Sequence, residues 1–110
     1  MIESGPYSAF TVESTRHDDR YVIAPAGELD VSTAATLEAE LAMAEASDVK
    51  RIVIDLGGLT FMDSTGLRLL LQADARSRAN SNRLRLVRGS RRVQKVFELT
   101  NTEDALPFLN

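Results

Sequence analysis

Four groups of residues in this chain have the types and spacing that chemistry needs. The first is Asp55, which ends the apolar run Ile52-Val53-Ile54, the place where open α/β sheets put reactive groups. An aspartate that accepts phosphate there with Mg²⁺ also needs an acidic pair after the first strand, five βα units and a late lysine. The only late lysine, Lys95, falls within a helical pattern, so Asp55 reads as a turn or cap residue for Gly57-Gly58. The second is His17, the single histidine, set in the polar run Arg16-His17-Asp18-Asp19-Arg20 as a solvated turn residue. With no glycine-flanked serine on a nucleophile elbow, it does not make a Ser-His-Asp triad. Zero cysteines exclude thiol nucleophiles, disulfides and cysteine-ligated zinc, and Gly57-Gly58 lacks the Lys-Ser/Thr of a phosphate-binding loop. No cofactor, metal or enzyme activity is expected.

The third group is basic. Residues 1 to 63 hold 12 acids and 4 bases, whereas residues 64 to 110 hold 4 acids and 9 bases; from Arg76 to Lys95 there are eight bases and no acid. Arg83, Arg85 and Arg88 follow strand alternation, and Arg91, Arg92 and Lys95 lie on the polar side of a helix, where a solvated face belongs. No aromatic is interleaved for base stacking and the net charge is −3, so nucleic acid is not the expected partner. The fourth group is Leu59-Thr60-Phe61-Met62-Asp63-Ser64-Thr65-Gly66-Leu67, where two large apolar residues sit beside an acid and two hydroxyls. Phe61 and Met62 either form a docking surface or fold back into the core while Asp63-Ser64 caps a helix.

The elements that must position these residues follow from periodicity. The chain has 110 residues, 44% apolar and 26% charged, which fits one folded domain over 1–110 with only the first eight residues loose. Phe10 to Glu13 and Tyr21 to Ala26 read as a β-hairpin with a moderately long polar turn, and Pro25 suggests an edge or a bulge. Ser32 or Asp30 caps a helix whose inward residues are Ala34, Leu37, Leu41 and Ala44. Arg51 to Leu56 is apolar enough for a central strand buried on both faces. Asp63-Ser64-Thr65 caps a second helix to about Ala79 with Leu67, Leu70, Leu71 and Ala75 on one face. Arg83 to Arg88 is a strand, Ser90 caps a third helix with Val93, Val96, Phe97 and Thr100 inward, and Leu106 to Leu109 is a candidate last strand. The fold class is α/β: a mixed, mostly parallel sheet of about four to five strands, ordered β-β-α-β-α-β-α with that optional last strand. No apolar run approaches the roughly 20 residues of a membrane span, and Met1 to Pro6 has no basic region followed by an apolar stretch, so a cytoplasmic protein is expected.

Ile52 to Leu67, with its Asp63-Ser64-Thr65-Gly66-Leu67 end, resembles the signature of the sulfate transporter and anti-sigma factor antagonist (STAS) domain, and more narrowly the free-standing bacterial anti-sigma factor antagonists. Gly27-Glu28-Leu29-Asp30 resembles the family's second motif, and the likeness runs from about residue 10 to residue 109. The resemblance implies phosphorylation at Ser64, with Thr65 the second candidate acceptor. It implies that the unphosphorylated form binds an anti-sigma factor that is itself an ATP-dependent serine kinase, freeing the sigma factor, and that a serine phosphatase resets the switch. The partner surface is expected at Glu28, Leu29, Asp30, Met62, Asp63, Ser64, Thr65 and Gly66. STAS domains also serve as phosphorylation-independent scaffolds in larger assemblies, which is the alternative; the family's terminal helix has no counterpart before Asn110.

The physical chemistry suits a switch. Ser64 stands at a helix N-terminus, where an anion is tolerated, so a phosphate leaves the fold in place and changes the surface. It adds about −1.5 to −2 charges beside Asp63 and Asp30. Like charges about 5 Å apart at an effective dielectric near 20 repel by roughly 3 kcal/mol per unit pair before salt screening, enough to release a partner.

Overall fold

The computed structural model describes residues 10–110; the expected looseness of residues 1–8 lies outside the described residues. Thr11–His17 (β1) pairs antiparallel with Arg20–Leu29 (β2). The polar turn is shorter than the run Arg16 to Arg20 suggests. Arg16 pairs with Tyr21 and His17 with Arg20, so Asp18-Asp19 alone reverse the chain, Asp18 at φ 54°, a conformation aspartate tolerates. His17 is therefore a strand end rather than a turn residue.

β2 is the organising strand. Its first half pairs parallel with Arg51–Asp55 (β3), and its second half pairs parallel with Gly58–Met62 (β4). Leu84–Val87 (β5) lies parallel beyond β3, giving the order β1-β2-β3-β5 with β4 on β2. Pro25 is thus not on an edge. It falls between Ile23, the last residue paired with β3, and Ala26, the first paired with β4, where the ladder changes partner.

β4 is the strand that the two-residue period conceals. Gly27 pairs with Leu59 but Glu28 pairs with Phe61, so Thr60 is an extra residue and the register shifts. Leu59 and Met62, three apart, consequently both point into the core at 2% exposure, while Phe61 turns outward. The element order becomes β-β-α-β-β-α-β-α, still a mixed, mostly parallel α/β sheet. The candidate last strand reduces to one parallel bridge, Leu86 to Phe108, after a 3₁₀ turn at Glu103–Ala105.

The strands β2, β3 and β5 are laid down in one direction, and right-handed crossovers then put helices Ala34–Glu45 (α1), Ser64–Ala79 (α2) and Arg91–Leu99 (α3) on the same face. Burial agrees. Ile23, Ile52, Ile54, Leu84 and Leu86 are sealed beneath the helices, whereas the alternate residues Val22, Ala24, Arg51, Arg85 and Val87 are half-buried. β3 is therefore central but not sandwiched between two helical layers. Val53, on the open face between its register partners Val22 and Arg85, is 7% exposed.

α1 buries Ala34, Leu37, Leu41 and Ala44, as its spacing requires. α2 is rotated from the expected stripe: Leu67, Leu69, Leu70 and Ala73 are buried, Leu71 is half-buried and Ala75 is exposed. α3 is capped by the Ser90 hydroxyl oxygen, which accepts from Val93 N–H at 3.4 Å, and it buries Val93 and Phe97 but not Thr100. Gln94 takes the remaining inward place; its side chain accepts from Gly89 N–H at 2.7 Å and donates to Glu103 at 3.1 Å.

Candidate functional site

At the start of α2 the chain is held by Asp63. Its backbone is extended, and its Oδ1 accepts from Thr65 N–H at 2.9 Å and Gly66 N–H at 3.4 Å, the cap that the sequence predicts. Ser64, the first residue of the helix, is exposed, and its hydroxyl has no hydrogen-bond partner among the described residues, while Thr65 is half-buried. Gly66 is buried so closely that no Cβ fits: one would lie 2.5 Å from Met62 Cγ and 2.9 Å from Leu29 Cδ2. The helix start therefore sits directly on the ends of β2 and β4.

The second loop follows β2. Asp30 Oδ1 accepts from Ser32 N–H at 2.9 Å and from the Ser32 hydroxyl at 2.7 Å, closing a tight turn. The N-cap position of α1 belongs to Thr33, not to Ser32 or Asp30, and its hydroxyl faces backwards: it accepts from Asp30 N–H at 3.0 Å and donates to the Glu28 carbonyl at 2.7 Å. Asp30 serves the helix through its main-chain carbonyl, which accepts from Thr33 and Ala34 N–H. The Ser32 hydroxyl, and then the Ser32 and Thr33 groups around it, hold the Asp30 carboxyl below the usual aspartate range. It is an anion at neutral pH.

The two loops meet. Asp63 N–H donates to the Leu29 carbonyl at 3.3 Å, and register places Glu28 beside Phe61 and Leu29 beside Met62. Of the expected surface residues, Glu28 and Ser64 are exposed and Asp30, Asp63 and Thr65 half-buried. Leu29 at 0%, Met62 at 2% and the buried Gly66 are corrections: they form the floor under the loops and offer no surface to a partner. Sequence reasoning missed Val31, 81% exposed at the tip of the Asp30 turn, and left Phe61, 38% exposed, open between docking surface and core. An apolar residue inside a polar turn was the available signal for Val31.

Residues 11–110 match the family description "STAS domain". The chain belongs to the STAS domain family. An anti-sigma-B factor antagonist of Staphylococcus epidermidis is 30% identical to it over 95 residues, covering 86% of this chain and 88% of that protein. The crystal structure of an anti-sigma factor antagonist from Mycobacterium paratuberculosis superposes with a TM-score of 0.82 at 25% identity, covering 96% and 89% of the two chains. The Bacillus cell fate determinant SpoIIAA in its phosphorylated form superposes at 0.66 with 27% identity, covering 93% and 92%. These antagonists are regulators rather than enzymes.

In this STAS domain much of the basic segment is engaged internally. Arg76 pairs with Glu45 at 3.1 Å, Arg78 with Asp74 at 3.1 Å and Arg88 with Glu103 at 2.8 Å. Arg83 donates to the carbonyls of Glu45, Ser47 and Val49 at 2.7, 2.9 and 2.6 Å, so it is a clamp on the end of α1 rather than part of a solvated face. Among the described residues no helix is long and apolar enough to cross a membrane.

Proposed function

We propose that this STAS domain is an anti-sigma factor antagonist acting in the cytoplasm, and that Ser64 is the phosphorylation site that switches it. The unphosphorylated form binds an anti-sigma factor that is also an ATP-dependent serine kinase, which releases the sigma factor; the kinase then phosphorylates Ser64 and a serine phosphatase restores it. The observation that carries this reading is the exposed Ser64 hydroxyl, free of hydrogen bonds among the described residues and flanked by the Asp63 and Asp30 loops. Thr65, half-buried, is the poorer acceptor.

A phosphate on Ser64 does not inherit the Thr65 and Gly66 N–H groups, because Asp63 already holds them. It adds negative charge next to a carboxylate that stays in place, on a surface where Glu28 and Asp30 are also acidic. A phosphate dianion at Ser64 takes up contact space and sets like charge against acidic groups that a partner brings there, so the complex is released without refolding. Incubation of the wild-type domain with its anti-sigma factor and ATP should add one phosphate at Ser64 and dissociate the complex; Ser64→Ala should bind and persist. A phosphate mapped only to Thr65, or a complex indifferent to phosphorylation, would instead favour the other acceptor or a constitutive scaffold.

A further inference from the structure

We propose that the open face of the sheet, at the end remote from Ser64, binds a phosphate monoester between Arg20 and Arg51. The two are direct register partners on the parallel strands β2 and β3, hence on the same face, with strands about 4.8 Å apart. Like charges placed opposite each other on a sheet are destabilising unless something compensates them. Among the described residues neither has a carboxylate within ion-pair distance.

The nearby acids are already committed. Asp19 lies 3.9 Å from Lys50, and Asp18 lies 3.5 Å from His17. Among the described residues Arg85, beside Val53 on the next strand, donates only to the carbonyls of Asn82 and Leu84. Together these residues surround a depression of about 470 Å³ with Val53 and Leu109 as its apolar part, a size suited to a small ligand.

The charge count selects the ligand class. Arg20, Arg51 and Arg85 bring three guanidiniums with no carboxylate partner among the described residues, so a dianion is matched better than a monoanion, and the planar forks of the adjacent Arg20 and Arg51 match phosphate oxygens. A carboxylate or sulfate ester would leave more of this positive charge unbalanced. The apolar floor favours a monoester with an organic body over inorganic phosphate. A free metabolite and an anionic lipid headgroup share this chemistry. Because β2 runs about 30 Å from Arg20 to Leu29, such a ligand and a partner at Ser64 can be held together.

The probe is phenyl phosphate, followed by amide chemical shifts, with vesicles of phosphatidylcholine with and without phosphatidic acid as the lipid arm. Saturable shifts centred on Arg20, Arg51, Val53 and Leu109 are expected, with phenyl sulfate weaker. Arg20→Ala and Arg51→Ala should each weaken binding at least tenfold, Arg51→Lys should weaken it while keeping the charge, and Arg92→Ala should leave it unchanged. Circular dichroism checks that each variant is folded. Binding to phosphatidic acid vesicles alone would assign the lipid source. Absence of saturation in both arms, affinity untouched by the Arg20 and Arg51 variants, or binding of a DNA duplex in place of both probes would overturn the proposal.

Discussion

The main-chain N–H of Asp63 donates to the carbonyl oxygen of Leu29 at 3.3 Å, and this bond ties the loop that carries Ser64 to the loop that carries Asp30. Both loops leave the same end of the sheet because β2 and β4 are parallel. Beneath the bond, Leu29 and Met62 are closed off by Gly66. Ser64 is thereby displayed, exposed, above a tightly packed floor.

Gly66→Ala should destabilise the fold. A Cβ at 2.5 Å from Met62 Cγ and 2.9 Å from two Leu29 atoms must push core side chains aside; overpacking of this kind costs about 1 to 3 kcal/mol, more than the roughly 1 kcal/mol alanine gains in helix propensity. Gly57→Ala, whose Cβ meets only the Asp55 carboxylate, should be close to neutral. Urea unfolding of the two variants makes the comparison, and equal stabilities would refute it.

Met62 and Phe61 are adjacent but should fail in different assays. Met62→Ala opens a cavity at a 2% exposed position and should cost about 2 to 5 kcal/mol of stability. Phe61→Ser and Val31→Ser should unfold within about 0.5 kcal/mol of wild type yet weaken the anti-sigma factor complex tenfold or more. Calorimetric titration beside thermal unfolding separates the two. Full binding by the double variant Val31→Ser/Phe61→Ser would move the interface elsewhere.

The contrast shows what local sequence encodes here. Asp63 and Ser90 were readable as caps because their bonds span two or three residues, and α1 was readable because its apolar residues recur on one face. β4 was not, since Thr60 inserts a bulge that replaces alternation by a spacing of three. Asp63-Ser64-Thr65 and the Asp30 turn could be singled out by residue type and family likeness, but only the packing decides that Leu29 and Met62 face inward and Val31 and Phe61 outward. The role of Arg83 was equally hidden, because its three carbonyl partners lie 34 to 38 residues away.

Asp30 should titrate below an ordinary aspartate, mainly because the Ser32 hydroxyl donates to its ionised form. The sign follows from linkage: the contribution of this turn is complete above the unfolded-state value and is lost as pH falls through the lower folded value. Carboxyl-carbon NMR should give a depressed midpoint for Asp30, and Ser32→Ala should raise it. An unchanged midpoint in Ser32→Ala would remove the assigned cause.

Arg83 and the arginines of α3 should separate structure from surface charge. The Arg83 guanidinium donates to three carbonyls at the end of α1 and in the loop before β3, so Arg83→Ala leaves all three without that donor. Hydrogen bonds from a charged donor contribute about 1.5 to 3 kcal/mol each when well shielded; for this half-buried side chain, water recovers part of the loss, and a net cost of about 2 kcal/mol is expected. Arg91 and Arg92 are exposed at the start of α3, where no ion pair holds them among the described residues, and Arg91→Ala with Arg92→Ala should change stability by less than about 0.5 kcal/mol. If the basic segment instead made a nucleic-acid site, the α3 variants would be the ones with a phenotype, seen as loss of a mobility shift at physiological salt. With Arg76, Arg78, Arg83 and Arg88 engaged internally and no aromatic between Arg76 and Lys95, neither wild type nor variants should shift DNA or RNA under those conditions. Micromolar binding abolished by Arg91→Ala and Arg92→Ala, with Arg83→Ala as stable as wild type, would reverse both assignments at once.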